Sequence, residues 1–401
     1  MPRFERGPEQ PVMLSPTKKV REEEESRASH VEVTWSLPPI TGIPPAARGG
    51  HTAVLADTHL LIFGGHYFGG DGTFVYLNDL YRLDLNTSTW HEIVFTEKDA
   101  VMPKPRYNHS ALLMHGGTRM FVFGGRGAAA QVFRDMFFFD LSAMAWFHVQ
   151  WTTDCPLARF GHSAASIDDA RMVLFGGWDG KKSMNDLWIF DTNTFTWTKP
   201  KCAGKFPTSR HNHSMVAISR ETLLVYGGYT VLMPDVPLPV YNKDVYLLDT
   251  TTLTWSRPRL VGEYPLGTFG QSVNVHDELA FVFGGWSGTE RSPLYMGDKQ
   301  VKELVAMDAR EERLASGTHE NDHGERNNRR RERTLHWKRA SSYAHVLDVN
   351  RMQWFTPVSH GVAVANRYGH TCTLVGPHVF LFGGWDGNRA LSQLVVGEFR
   401  I

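Results

Sequence analysis

An apolar run closed by two glycines occurs six times along the 401 residues, and it limits the possible folds more than any other feature of the chain. The runs are LLIFGG, MFVFGG, MVLFGG, LLVYGG, AFVFGG and VFLFGG, ending at Gly65, Gly125, Gly177, Gly228, Gly285 and Gly384. The steps between these glycines are 60, 52, 51, 57 and 99 residues. Self-similarity at a period of roughly 50 marks a repeat architecture, in which each unit buries its faces against its neighbours. Each run is short, apolar on both faces and rich in β-branched or aromatic residues, as suits an inner strand covered on both sides. The glycines end the strand and permit backbone angles that other residues avoid. The last step is one period plus an insertion.

Two further signals keep a fixed order around each run. Ahead of it stand Arg48-Gly-Gly-His51, Arg106-Tyr-Asn-His109, Arg159-Phe-Gly-His162, Arg210-His-Asn-His213 and Arg367-Tyr-Gly-His370, with Thr268-Phe-Gly-Gln271 in the fifth copy. After it, an aspartate lies six positions before a tryptophan: Asp84 and Trp90, Asp140 and Trp146, Asp191 and Trp197, Asp249 and Trp255, Asp348 and Trp354. The Asp-led segments are turn-rich and then β-prone, which reads as a hairpin into an outer strand. Three motifs in one repeated order are far more specific than a lone FGG. The order resembles the kelch repeat, from about residue 31 to 401. The resemblance implies one four-stranded antiparallel blade per repeat, with blades set radially around a channel. The expected fold is all-β, a six-bladed kelch-type β-propeller with blades near 48–95, 106–151, 159–200, 210–258, 268–357 and 367–401.

The sixth copy stops at Ile401, with Glu398 in the place of the aspartate and no tryptophan after it. A matching outer strand, Val31-Glu-Val-Thr-Trp35, stands ahead of the first motif. Residues 31–37 are therefore expected to complete the last blade, which removes open sheet edges. Two stretches fall outside the ring: residues 1–30, with Glu22 to Glu25 and little apolar content, and a charged insertion at 287–339 in blade five. The first, and the second half of the insertion, SGTHENDHGERNNRRRERT, read as disordered. Within the insertion VKELVAMD, ending at Asp308, imitates a third strand. SYAHVLD, ending at Asp348, is preferred, because only it has a tryptophan six residues later.

The 42 basic and 42 acidic residues cancel, so bulk charge favours neither nucleic acid nor an anionic membrane as partner. Three cysteines, Cys155, Cys202 and Cys372, set up no disulfide framework. No run of about 18 apolar residues marks a membrane span, and the charged N-terminus has no apolar signal core. A cytoplasmic protein is the expectation. Arg329, Arg330, Arg331 and Arg333 form a basic cluster of nuclear-localisation type, interrupted by Glu332, and a solvated loop is its simpler meaning. With no BTB or F-box module beside the repeats, any effector is expected to be a separate subunit.

Arg, His, Asp and Trp recur once per blade and are expected to be structural, bonding neighbouring blades or capping turns. Function is sought in positions that do not recur. Directly after the glycines stand His66 (followed by Tyr67), Arg126, Trp178, Tyr229, Trp286 and Trp385. Directly after the motif arginine, or Thr268, stand Gly49, Tyr107, Phe160, His211, Phe269 and Tyr368. In antiparallel blades both sets emerge on one face, and Trp, Tyr and Arg dominate interface hot spots. The stretches HYFGGDGTFVYLND in blade one and TVLMPDVPLPVYNKD in blade four read as long recognition loops on that face. In kelch adaptors of the ubiquitin-ligase type the corresponding loops grip a partner peptide, and the resemblance implies the same face here. The expected function is that of a non-catalytic scaffold or adaptor for a protein or peptide partner, with no cofactor.

The second class weighed is a kelch-propeller enzyme acting on a sugar or other small molecule in the channel. A copper oxidase of the galactose-oxidase kind needs Tyr, His and a Cys beside a Tyr. The Glu-x-x-x-Asp-x-x-x-His set of the nitrile-specifier proteins is absent, as are a phosphate loop and G-x-S-x-G. Cys155 and Cys202, near His162, His211 and His213, are the one metal-like grouping. It would need Cys and His within about 2.0–2.3 Å of one ion, and no metal site is expected.

Overall fold

A computed structural model of the chain describes residues 31–70, 72–95, 101–231, 239–287 and 344–400. Six antiparallel sheets follow one another, forming the six-bladed β-propeller expected. Blade two shows the unit: Ser110–Met114, Arg119–Phe123, Met136–Asp140 and Ala145–Val149 pair in sequence order, from the axis outwards. Blade three repeats it with Ser163–Ser166, Arg171–Phe175, Leu187–Asp191 and Thr196–Thr198. The first strands of successive blades touch one another all the way round, sixth against first. In blade five the third strand is Ala344–Asp348, paired with Leu279–Phe283 and Gln353–Phe355. Its rival ending at Asp308 lies outside the described residues. So do residues 1–30 and residues 288–343, which take in nearly all of the 287–339 insertion and its Arg329–Arg333 cluster, so the disorder expected of both stretches falls there too.

The ring closes through the first strand of the chain. Glu32–Ser36 pairs antiparallel with Leu394–Arg400, in a register that sets Val33 opposite Phe399 and Trp35 opposite Gly397. Trp35 thereby takes the place of the missing sixth tryptophan. Every outer-strand tryptophan lies on an aromatic residue of the preceding blade's Gly-Gly strand. Trp90 meets Phe382 at 5.4 Å, Trp146 meets Phe63 at 4.9 Å, and Trp197 meets Phe123 at 5.1 Å. Trp255 meets Phe175 at 5.1 Å, Trp354 meets Tyr226 at 5.3 Å, and Trp35 meets Phe283 at 5.6 Å. All six tryptophans are buried. At about 25 cal/mol per Å² over roughly 200 Å², each stabilises the ring by about 5 kcal/mol.

Four short strands extend the blades in a way not foreseen in the motifs. Thr41–Gly42, Ala203–Gly204, Val261–Gly262 and Val358–Gly361 each run parallel to the outermost strand of the blade that follows or, in the last case, closes the ring. At these four junctions the chain therefore climbs the outer edge of a sheet before crossing to the axis.

Candidate protein-binding face

Three layers of repeated residues build the scaffold beneath the face. The first is ionic. Arg48, Arg106 and Arg159 form two-pronged pairs with Asp79, Asp135 and Asp186 at 2.6–3.1 Å. Arg210 reaches Asp244 at 3.0 Å, and Arg367 reaches the Gln393 amide oxygen at 3.0 Å. Each guanidinium also donates to the carbonyl of the first glycine of its blade's pair and to the carbonyl two residues upstream, as Arg159 does to Gly176 and Leu157. These arginines are buried yet fully engaged, the only form in which burial of such a charge is tolerable. Their carboxylate partners belong to none of the three repeated motifs. The signal was there in NDL, RDM, NDL and KDV, where the aspartate directly precedes the third strand or, in blade one, lies within its longer third strand. Blade five has neither half of the pair: Thr268 replaces the arginine, and Tyr343 precedes its third strand.

The second layer is the histidine series, and it is structural. His109 Nε2 bonds the Thr52 hydroxyl at 2.8 Å, His162 the Ser110 hydroxyl at 2.9 Å, and His213 the Ser163 hydroxyl at 2.6 Å. His370 bonds Ser272 and His51 bonds Thr371, both at 2.9 Å, so each histidine is tied to the preceding blade. Where blade five carries Gln271, the Ser214 hydroxyl donates instead to its backbone carbonyl at 3.0 Å. Burial, reinforced by the neighbouring motif arginine, lowers His162 and His370 to about 3. It holds His51, His109 and His213 well below 6.5. These rings are neutral hydrogen-bonding elements at physiological pH.

The third layer is a closed cycle of backbone hydrogen bonds at the channel. Gly50, Asn108, Gly161, Asn212, Gly270 and Gly369, one per blade, all adopt left-handed backbone, with φ between 50° and 66°. The amide of each donates to the carbonyl of the preceding member, at 2.6–2.9 Å, and Gly50 closes the cycle on Gly369. Only Gly and Asn occupy these positions because the left-handed region penalises other side chains. That restriction was legible in the third place of every motif.

Above this cycle sit the residues expected to form the binding rim. The residue after each motif arginine, or Thr268, is bridged to the residue after its Gly-Gly: Gly49 with His66, Tyr107 with Arg126, Phe160 with Trp178, His211 with Tyr229, Phe269 with Trp286 and Tyr368 with Trp385. They do converge on one end of the channel, but at two depths. His66, Tyr107, Phe160, His211, Phe269, Tyr368 and Trp385 are buried and make a floor. Tyr67, Arg126, Trp178, Tyr229 and Trp286 are half-exposed above it. Ring contacts link the two levels in arcs: Trp385 to His66 at 5.4 Å, His66 to Tyr107 at 4.1 Å, and Tyr107 to Phe160 at 6.3 Å. On the other side Trp178 meets His211 at 5.0 Å, His211 meets Tyr229 at 3.8 Å, Tyr229 meets Phe269 at 5.1 Å, and Phe269 meets Tyr368 at 5.6 Å. Blade one has Gly49 in the floor series because a Cβ there would lie 2.2 Å from the Trp385 indole. Burial pushes the Tyr107 phenol up to about 12 and lowers His66 to about 4 and His211 to about 3. His66 Nδ1 donates to the Gly49 carbonyl at 3.0 Å, and His211 Nδ1 bonds the Ser183 hydroxyl at 2.9 Å.

The two stretches read as long loops are instead largely β-ribbons. In blade one the strands continue past Gly-Gly, as His59–Phe68 and Phe74–Asp84, until Phe68 pairs with Phe74. In blade four Thr222–Val231 continues upward and pairs with Pro239–Tyr241; residues 232–238 lie outside the described set. Alternating aromatic and β-branched residues past the glycines favour pairing over open loop. Blades one and four are three steps apart in a ring of six, so their ribbons stand on opposite sides of the mouth. Cys155 and Cys202 lie apart in separate apolar clusters, Cys155 with Trp151 and Trp197 and Cys202 with Trp255. Among the described residues no three His, Cys, Asp or Glu side chains are grouped to hold a metal ion.

Compared with known proteins, the chain matches the KLHDC2/KLHL20/DRC7 Kelch-repeats domain at residues 68–285 and 206–322, more than half its length. Kelch domain-containing protein 3 of Rattus norvegicus is 31% identical over 230 residues, which is 54% of this chain and 57% of the relative. Host cell factor of Drosophila melanogaster is 27% identical over 383 residues, 87% of this chain but 21% of the relative. Acyl-CoA-binding domain-containing protein 5 of Arabidopsis thaliana is 28% identical over 257 residues, 63% of this chain and 38% of the relative. The matched region thus spans less than two thirds of each of these relatives.

Proposed function

The chain belongs to the kelch-repeat family, whose members generally mediate protein–protein interactions, and from that premise we propose that it is a non-catalytic binding module that holds a protein or peptide partner on the loop end of the propeller. The observation that carries this reading is the half-exposed set Arg126, Trp178, Tyr229 and Trp286, standing on a rigid, neutral aromatic floor. Such side chains bury large area at little entropic cost and keep a polar handle, as interface anchors do. The floor has little to offer as an acid or base. His66 and His211 are hydrogen-bonded and held neutral by burial, and the amides of the backbone cycle are spent on one another.

The test is partner capture by the full chain carrying Trp178→Ala or Tyr229→Ala. Truncating an anchor costs about 2 kcal/mol or more, roughly thirtyfold in affinity. We expect each variant to stay folded and to lose captured partners. Asn193→Ala, in an exposed hairpin turn at the opposite end, should capture as the wild type does. Wild-type capture by both loop-end variants would refute the reading.

A further inference from the structure

Charge is shared unevenly among the crossings that carry the chain from one blade to the next. The crossing into blade four, residues 199–209, holds Lys199, Lys201 and Lys205 and no acid. The crossing into blade five, residues 257–267, holds Arg257 and Arg259 with Glu263. By contrast, residues 150–158 before blade three hold Asp154 alone, and residues 37–47 and 356–366 hold no lysine, arginine, aspartate or glutamate. All five cations are exposed, and they border one surface. Ala203–Gly204 runs beside Thr254–Ser256, the outermost strand of blade four, and the Lys205 amide donates to the Trp255 carbonyl at 2.9 Å. Lys205 is thus level with Ser256, and Arg257 follows directly. The nearby Asp244 is held by Arg210 at 3.0 Å, with Arg257 at 3.9 Å. Lys201, Lys205 and Arg259 form no ion pair among the described residues.

The same two crossings leave apolar side chains in solvent. Phe206, next to Lys205, and Val261, Tyr264 and Leu266, after Arg259, each stand about half exposed. Ile43 and Leu157 are also exposed, in the crossings before blades one and three, but no cation accompanies them there. Cations beside exposed apolar side chains suit a surface that rests in the headgroup zone of a bilayer. The zero net charge of the chain does not cancel the patch, because at about 0.15 M salt exposed charges more than about 8 Å apart are largely screened. Val261 and Leu266 offer a nucleotide base no stacking face, whereas the membrane interface takes aliphatic and aromatic side chains alike.

We propose that the outer wall of the ring around blade four docks on an anionic phospholipid surface, with Lys205 and Arg259 on the headgroups and Phe206 seated between them. Each cation held near such a surface strengthens binding roughly fivefold. A few of them with shallow apolar contact give reversible attachment rather than insertion. The wall is the outer edge of a sheet, away from the channel, so the mouth stays open to a protein partner while the module rests on a membrane. This surface is separate from the loop-end face of the proposed function.

The experiment is sedimentation of the full chain with large vesicles, either pure phosphatidylcholine or phosphatidylcholine with about a third phosphatidylserine, at about 0.15 M salt. We expect the chain to sediment with the anionic vesicles and to stay in solution with the neutral ones. Lys205→Gln combined with Arg259→Gln should weaken binding about twentyfold. Phe206→Ser should weaken it as well, and both variants should keep the wild-type melting temperature. Arg220→Gln removes an exposed cation from a hairpin at the opposite end and should bind as the wild type does. So should Trp178→Ala, which lets this proposal and the proposed function stand or fall separately. Sedimentation with neither vesicle, equal sedimentation with both, binding that survives the double change, or an equal loss in Arg220→Gln would overturn the proposal. So would capture of single-stranded polyuridine that the double change abolishes, with vesicles left unbound, which would assign the patch to nucleic acid instead.

Discussion

At the scale of single residues, the repeat divides side chains by whether they answer to the ring or stand clear of it. The buried arginines answer to the ring. Arg159 is fully buried and held by the Asp186 carboxylate at 2.7 and 2.8 Å and by the Gly176 carbonyl. Asp186→Ala would strand that charge, and breaking a buried pair costs about 3–5 kcal/mol. Blade five shows that the fold tolerates loss of both partners together. We therefore predict that Arg159→Met with Asp186→Leu destabilises by clearly less than the sum of the two single changes, read from urea unfolding of all four proteins. Strict additivity would mean that the pair is not the unit of stability described here. The histidines and tryptophans were legible as structural because each series converges on one residue type. The aspartates were harder to see, because Asp135, Asp186 and Asp244 stand one residue ahead of a strand and Asp79 inside one, with no turn motif around them, and nothing in NDL or KDV announces an ion pair until the fold brings it under the arginine.

At the scale of elements, the chain ends make one sheet. Motif order alone placed Val31 to Trp35 in the last blade, since a tryptophan was missing at one terminus and spare at the other. The register now shows why the match is close: Trp35 sits over Gly397, where a Cβ would come within 2.8 Å of its indole. Removing residues 1–36 would strip an outer strand, uncover Phe283 and Phe399, and leave a sheet edge open. Removing residues 1–28 leaves the strand intact. Thermal melts should therefore show a marked drop for the longer truncation and none for the shorter, and equal melting temperatures would contradict the closure. The ribbons of blades one and four were not legible as strands. Gly-Gly normally ends the second strand, and in HYFGGDGTFVY the further glycines suggested an open loop. The register slips between Phe63 and Gly65 and then resumes, so pairing outlasts the glycines. The parallel edge strands escaped notice because two residues such as Thr41–Gly42 carry no periodicity to read.

At the scale of the whole molecule, six equal blades support one unequal end. The cycle of backbone bonds, the histidine–hydroxyl ties and the tryptophan contacts each run blade to blade through the closure. The mouth is thus held by the entire ring rather than by one sheet. Rigidity of this kind favours recognition, because little entropy is lost when a partner docks. What the sequence could not convey was depth. Trp178 and Trp385 occupy the same place in their repeats, yet Trp385 is buried over Gly49, whereas Trp178 is half-exposed. Depth depends on the residue facing across from the next blade, which no single repeat contains. The most direct test of the account is hydrogen exchange of the full chain with and without a captured partner. Protection should appear at the loop end, around residues 126–134, 178–184 and 239–241, and be absent from the hairpins at 84–89, 140–145, 191–196 and 249–254. Protection confined to those hairpins or to the outer strands, with the mouth unchanged, would contradict it.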